Sequence, residues 1–283
     1  MPDKKKGFRL QTELVKIDRE QMSHHIMKRA GEILQNGGLV AFPTETVYGL
    51  GADALNEEAA QKIYAAKGRP SDNPLIVYIA DMEALGRIAE SIPKEAKALA
   101  EAFWPGPLTM IFRKKECVPS GTTGGLSTVA VRMPSDEIAR ELIRQGGGYI
   151  AAPSANVSGR PSPTTAQHVY EDMKGRIPMI LDGGPVRIGL ESTIVDLTEE
   201  HPVILRPGYI TLSMIRSITG EAEVDRGLIA DNSTVRPKAP GMKYRHYAPR
   251  AELWIVEGPM ERVVSYINEK CSAFPGTGII CTE

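Results

Sequence analysis

The sequence predicts an α/β fold built on a mixed sheet flanked by helices. Compact apolar runs, such as residues 75–80 (LIVYIA), 108–112 and 149–152, read as strands buried on both faces. Between them lie segments whose apolar residues recur at helical spacing. The runs are too many and too unevenly connected for simple double winding, so parallel and antiparallel neighbours are expected together. No repeat of fixed period is present, which excludes a solenoid.

The elements follow in order. Residues 18–21 (DREQ) have the form of a capping box. Met22, Ile26, Ala30 and Ile33 then recur at helical spacing until Asn36-Gly37-Gly38. Residues 39–42 form a short strand, and 43–51 (PTETVYGLG) hold too many turn-formers to be regular throughout. A helix over 57–66 delivers the chain to Lys67, ahead of the strand at 75–80 and helices at 82–89 and 93–103. Strands follow at 108–112, 129–131, 149–152, 179–181, 193–195 and 203–205, with helices at 135–145 and 165–173. The second of these helices opens on another capping box, 164–167 (TTAQ). A helix over 211–219 leads into a polar stretch, 221–243, that reads as a linker. Residues 253–256, 259–269 and 278–281 then suggest strand, helix and strand, a fragment unable to bury a full core by itself.

Composition narrows the class. The 283 residues are 42% hydrophobic and 24% charged, which suits one large globular unit with a smaller appendage. Lys+Arg of 34 against Asp+Glu of 35 gives a net charge of -1, which argues against a protein held on nucleic acid by bulk charge. Cys117, Cys271 and Cys281 lack zinc-type spacing and suggest a reducing compartment. The lysine-rich start is followed by no apolar signal region, and no run approaches a membrane span. A cytoplasmic protein with no membrane partner is expected.

Two polar corners beside apolar runs carry most of the chemistry. In 67–74 (KGRPSDNP), Lys67 and Arg69 offer cationic donors to phosphate or carboxylate oxygens, and Pro70 stops the preceding helix. The plainer reading is a solvated helix C-terminus, where cations are favoured anyway. In 153–165 (PSANVSGRPSPTT), Ser154, Asn156, Ser158 and Ser162 add short donors and Arg160 adds charge, against the plainer reading of a surface loop. Thr44 and Thr46 lie beside Gly49 and Gly51, which allow close backbone approach. Arg132 ends an apolar run; a buried arginine must meet either an internal carboxylate or a ligand's. Ser192 and Arg206 also sit at the boundaries of apolar runs. There is neither a GxxxxGK[ST] loop nor a Gly-x-Gly-x-x-Gly helix opening. His24, His25, His168, His201 and His246 show no metal-ligand spacing, so no protein metal site is expected, and nothing demands a covalent nucleophile.

PTETVYGLG, KGRPSDNPLIV, TVAVRMP, PSANVSGRPSPT, ESTIVD and ILRPG, in this order, resemble the threonylcarbamoyl-AMP synthase family, whose catalytic domain is YrdC-like. The resemblance spans roughly residues 15–220 as the YrdC-like domain. It implies a linker and lid at 221–250, where KYRHYAP lies, and a partial Rossmann-like C-terminal domain at 251–283. The reaction it implies joins L-threonine and bicarbonate into a carbamate that attacks the α-phosphorus of ATP. Pyrophosphate leaves, and the adenylate serves separate proteins that modify tRNA, with tRNA itself a further candidate partner.

By the same resemblance, Lys67 and Arg69 are catalytic, with Mg²⁺ accompanying ATP. Thr44, Thr46, Tyr78, Arg132, Ala152 and Ser192 take the threonine side, Arg132 holding its carboxylate. Lys67, Arg69, Asn73, Thr128, Ser154, Asn156, Ser162, Arg206 and Tyr247 take ATP, Tyr247 closing as a lid with His246. Many relatives carry histidine where Tyr78 stands; tyrosine keeps a hydroxyl but does not titrate near neutrality. The competing functions are an RNA-binding YrdC-like module without adenylate chemistry and a carbamoyl-transfer module of hydrogenase maturation. The latter would carry zinc-binding cysteine pairs, which three lone cysteines do not supply.

Overall fold

The structure, a computed structural model, describes residues 10–225 and 252–280. The chain divides into two compact units, Met1–Ala248 and Pro249–Glu283. In the first, the strands are β1 (Glu13–Lys16), β2 (Val40–Phe42), β3 (Gly49–Asp53), β4 (Ile76–Tyr78), β5 (Leu108–Arg113) and β6 (Thr128–Arg132). They continue with β7 (Ile150–Ala152), β8 (Met179–Asp182), β9 (Thr193–Asp196), β10 (Val203–Arg206) and β11 (Glu223–Val224). All join one sheet in the order β1-β8-β2-β3-β7-β4-β6-β5-β9-β10-β11. Pairing is mixed, as expected: β4 runs parallel to β6 and antiparallel to β7, and β5 runs antiparallel to β6 and parallel to β9.

The helices are α1 (His24–Gln35), α2 (Glu57–Lys67), α3 (Met82–Ile88), α4 (Lys94–Phe103), α5 (Glu137–Gln145), α6 (Ala166–Met173) and α7 (Leu212–Thr219). The continuous apolar runs arise because both sheet faces are covered. Along β4 and the residues after it, Val77 and Ile79 join one buried cluster while Ile76, Tyr78 and Ala80 join the other. The first cluster takes its helical side chains from α2, α3, α4, α6 and α7. The second takes them from α1 and α5, through Met27, Ala30, Leu34, Ile138 and Leu142. The face with fewer helices has room for a cavity.

Local chemistry fixes the helix ends that matter. The Asn56 side chain accepts from the Ala59 amide at 3.1 Å, and Glu57 and Glu58 occupy the first turn of α2. Gly68, at φ 63°, ends that helix immediately after Lys67. The Asp136 side chain accepts from the Ile138 and Ala139 amides and starts α5 just after Arg132 leaves the sheet.

Some sequence expectations need correction. Asp18 caps a turn, accepting from the Glu20 amide at 2.9 Å, but α1 begins at His24. Its fully buried face is Met27, Ala30, Gly31 and Leu34; of the expected row Ala30 is part of it, while Met22, Ile26 and Ile33 pack against the core partly buried. Gly31 sets that face: a Cβ there would come within 2.5 Å of the Gln145 carbonyl carbon, so α1 lies directly against α5. The cap of α6 is Thr165, accepting from the His168 amide, one residue beyond the expected Thr164. Strands β1, β3 and β11 were not predicted: β1 is a largely exposed edge strand, β3 begins within the turn-rich stretch 43–51, and β11 has two residues.

In the second unit, α8 (Met260–Ala273) forms and buries none of its residues. The strands expected at 253–256 and 278–281 do not form at the described positions. A strand needs a neighbour to take its backbone groups, and the described part of this unit offers none. Among the described residues no helix is long and apolar enough to cross a membrane.

Candidate active site

A cavity of about 580 Å³, counting space open to solvent, lies against the less-covered sheet face. Tyr78 and Arg132 are register partners on the parallel strands β4 and β6, so their side chains stand side by side. Ile76 and Ala152 pair across β4 and β7 and complete the floor. Around it come Thr46 and Val47 from the loop after β2, Lys67 and Arg69 from the end of α2, and Pro153, Ser154, Asn156, Ser158 and Gly159 after β7. Glu191 and Ser192 before β9, and Arg206 at the end of β10, close it.

Lys67 joins the two polar corners. Its ammonium donates to the Ser154 and Asn156 carbonyls at 2.5 Å each, and the Ser158 amide donates back to the Lys67 carbonyl at 2.9 Å. Burial, then the nearby Arg69 charge, push the Lys67 pKa well below the usual lysine range. Beyond it, the loop is pinned from α6: Asp172 accepts from the Val157 amide at 2.9 Å and pairs with Arg160. The Asn156 amide group spans the turn, donating to the Val157 and Arg160 carbonyls at 2.9 and 2.8 Å.

Arg69 donates to the Asn73 side-chain oxygen at 2.6 Å and to the Pro74 carbonyl at 3.0 Å. Arg206 reaches back to the Ser192 carbonyl at 2.9 Å and hydroxyl at 3.1 Å, and that hydroxyl also meets Thr109 at 2.8 Å. Gly208 makes this possible: a Cβ there would fall 2.5 Å from the Glu191 carbonyl oxygen and 2.6 Å from the Thr193 amide nitrogen.

Arg132 is 2% exposed, and its guanidinium lies 2.7 Å from the carboxylate of Glu45, itself 3% exposed. Burial opposes the charge on Arg132, but Glu45 and Tyr78 outweigh it and raise its pKa. Of the two partners open to a buried Arg132, the structure supplies the internal carboxylate.

Of the residues the family resemblance assigns to the site, Thr46, Lys67, Arg69, Tyr78, Arg132, Ala152, Ser154, Asn156, Ser192 and Arg206 line this cavity. Four do not. Thr44 turns inward to Thr46 at 2.9 Å and the Val47 carbonyl at 2.7 Å. Asn73 is buried behind Arg69, Ser162 donates to Glu191, and Thr128 opens β6 opposite Arg113. Tyr247 and His246 lie outside the described residues. Sequence reasoning missed Glu45, and it noted Glu191 at the boundary of an apolar run without giving it a role. Glu45 had a signal: a buried arginine needs a partner, and this carboxylate sits between the two threonines already singled out. Glu191 had only its place before Ser192.

The cavity gathers cationic side chains and hydroxyls over an apolar floor, which suits an anionic ligand with a small apolar part. Among the described residues no three carboxylate, thiol or imidazole groups gather to hold a metal ion.

Comparison with known proteins places the chain in a family. Residues 32–208 match the Sua5–YciO–YrdC family model, described as telomere recombination. Residues 210–283 match the model described as threonylcarbamoyl-AMP synthase, C-terminal domain. A threonylcarbamoyl-AMP synthase from Pyrococcus abyssi is 54% identical over 92% of this chain and 76% of its own length. One from Bacillus subtilis is 51% identical over 90% of this chain and 73% of its own. The crystal structure of P. abyssi Sua5 complexed with L-threonine superposes with a TM-score of 0.88 at 52% identity, covering 92% of this chain and 76% of that one.

Proposed function

The chain belongs to the threonylcarbamoyl-AMP synthase family, and on that premise we propose that it makes L-threonylcarbamoyl-adenylate from L-threonine, bicarbonate and ATP. The observation that carries this reading is the convergence of Lys67, Arg69, Arg132 and Arg206 with Thr46, Ser154 and Ser192 on one cavity from separate segments. A relative of high identity has been crystallised with L-threonine, which supports an amino-acid subsite here.

Threonine lies over Ile76 and Ala152, its carboxylate toward Arg132 and its hydroxyl among Thr46, Tyr78 and Ser192. The amine and bicarbonate form a carbamate with loss of water. A carbamate oxygen then attacks the α-phosphorus of ATP, the bond to the β-phosphate oxygen breaks, and pyrophosphate leaves. Such a displacement needs alignment and charge neutralisation more than a protein nucleophile. Lys67, Arg69 and Arg206 supply positive charge to the phosphates, while Ser154 and Asn156 hold the nucleotide in place. Asn73 and Ser162 act through the partners they hold, Arg69 and Glu191. If Mg²⁺ accompanies ATP, Glu191 would be the cavity carboxylate to hold it or its waters, and the ion would supply further charge neutralisation at the phosphates. The product is a reactive mixed anhydride, which suits prompt consumption by tRNA-modifying proteins in the cytoplasm.

Purified protein given ATP, Mg²⁺, L-threonine and bicarbonate is expected to release pyrophosphate, and omission of threonine should abolish the release. Equal release without threonine would refute the reading.

A further inference from the structure

Glu45 does not line the cavity, yet its carboxylate lies 2.7 Å from a terminal nitrogen of Arg132, which does. The rest of the guanidinium is loosely held. Its other terminal nitrogen reaches the Tyr78 hydroxyl at 3.4 Å, and the Tyr78 ring centre lies 5.5 Å from the guanidinium carbon. Nε has no hydrogen-bond acceptor. Glu45, by contrast, is fixed from several sides. The Ser135 amide donates to its second oxygen at 3.3 Å, and its backbone carbonyl accepts from the Ile188 amide at 2.9 Å. An arginine with unused donors can present its planar fork in more than one orientation unless an anion holds it.

The geometry points to Glu45 as a positioning residue: it holds Arg132 at the cavity wall so that the threonine carboxylate meets a guanidinium already set. The inference rests on the assignment of Arg132 to that carboxylate. It makes the TET corner part of amino-acid recognition through its middle residue as well as its threonines.

The test is calorimetric titration of the full chain with L-threonine, alongside threonine and ATP KM values from pyrophosphate release. Glu45→Gln keeps the shape and removes the charge. Threonine Kd and KM should rise about tenfold, while the ATP KM stays within about twofold. In an Arg132→Lys background the same substitution should add less than about twofold, because its effect passes through Arg132. Equal rises for threonine and ATP, or a full tenfold effect persisting in the Arg132→Lys background, would overturn the inference. Should Glu45→Gln not fold, Glu45→Asp keeps the charge but retracts it and should raise threonine Kd about threefold; an unchanged Kd would count against the inference. Wild-type protein that binds threonine but releases no pyrophosphate would sink the proposed reaction and leave this inference standing. Wild-type protein that does not bind threonine would overturn both.

Discussion

Removing Arg132 should cost more than a ligand contact. In Arg132→Met the Glu45 carboxylate stays buried, 3% exposed, with its cation gone. Breaking a buried pair by removing one partner costs about 3–5 kcal/mol, because the remaining charge is uncompensated. For a unit of this size each kcal/mol lowers Tm by about 2–4 °C, so a fall of roughly 6–20 °C is expected. Replacing both partners is a different perturbation. Arg132→Met with Glu45→Met removes both charges and fills the space with apolar atoms, which is often neutral or stabilising. Scanning calorimetry on wild type, both single variants and the double variant gives the complete cycle. The double variant should regain most of the lost stability, while L-threonine titration should still find binding lost. A single variant as stable as wild type, or a double variant no better than Arg132→Met, would refute the view of this contact as a buried ion pair.

Lys67 gives a pH prediction. Its folded-state pKa lies below its unfolded value, so between the two the unfolded chain binds more protons and stability rises with pH. Wild type should therefore gain stability relative to Lys67→Met as pH rises toward about 10.5, the ordinary lysine value; a flat difference in Tm would contradict this. Gly208→Ala drives a Cβ into the Glu191–Thr193 backbone and should cost about 1–3 kcal/mol with loss of turnover. Turnover at the wild-type rate would show that the contact tolerates displacement. Gly31→Ala forces α1 from α5, away from the cavity, and should lower Tm while leaving both KM values unchanged; a shift in either would place that contact within the site's support.

The sheet was legible where strands are buried on both faces, because runs such as 75–80 admit few other readings. Strand β1 escaped because it is a short edge strand with three of its four residues exposed, and its identity as a strand comes from pairing with β8, far along the chain. The face of α1 was misjudged for a related reason. Periodicity centred the face on Ile26, Ala30 and Ile33, which do pack on the core, while the close contact of Gly31 with α5 turns Met27 and Leu34 fully inward. At the site, cations and hydroxyls at strand ends announced themselves. Glu45 was signalled only indirectly, by the partner a buried arginine needs; which carboxylate answers is decided once β4, β6 and the loop after β2 come together.

The central claim is that one cavity assembles threonine, a carbonyl carbon from bicarbonate and the adenylyl group of ATP. Mass spectrometry of the product formed with carbon-13 bicarbonate tests it most directly. The expected product is a threonylcarbamoyl-adenylate one mass unit heavier than that from unlabelled bicarbonate, with its formation lost in Lys67→Met. An adenylate lacking the label, or the same labelled product formed without the protein, would contradict it.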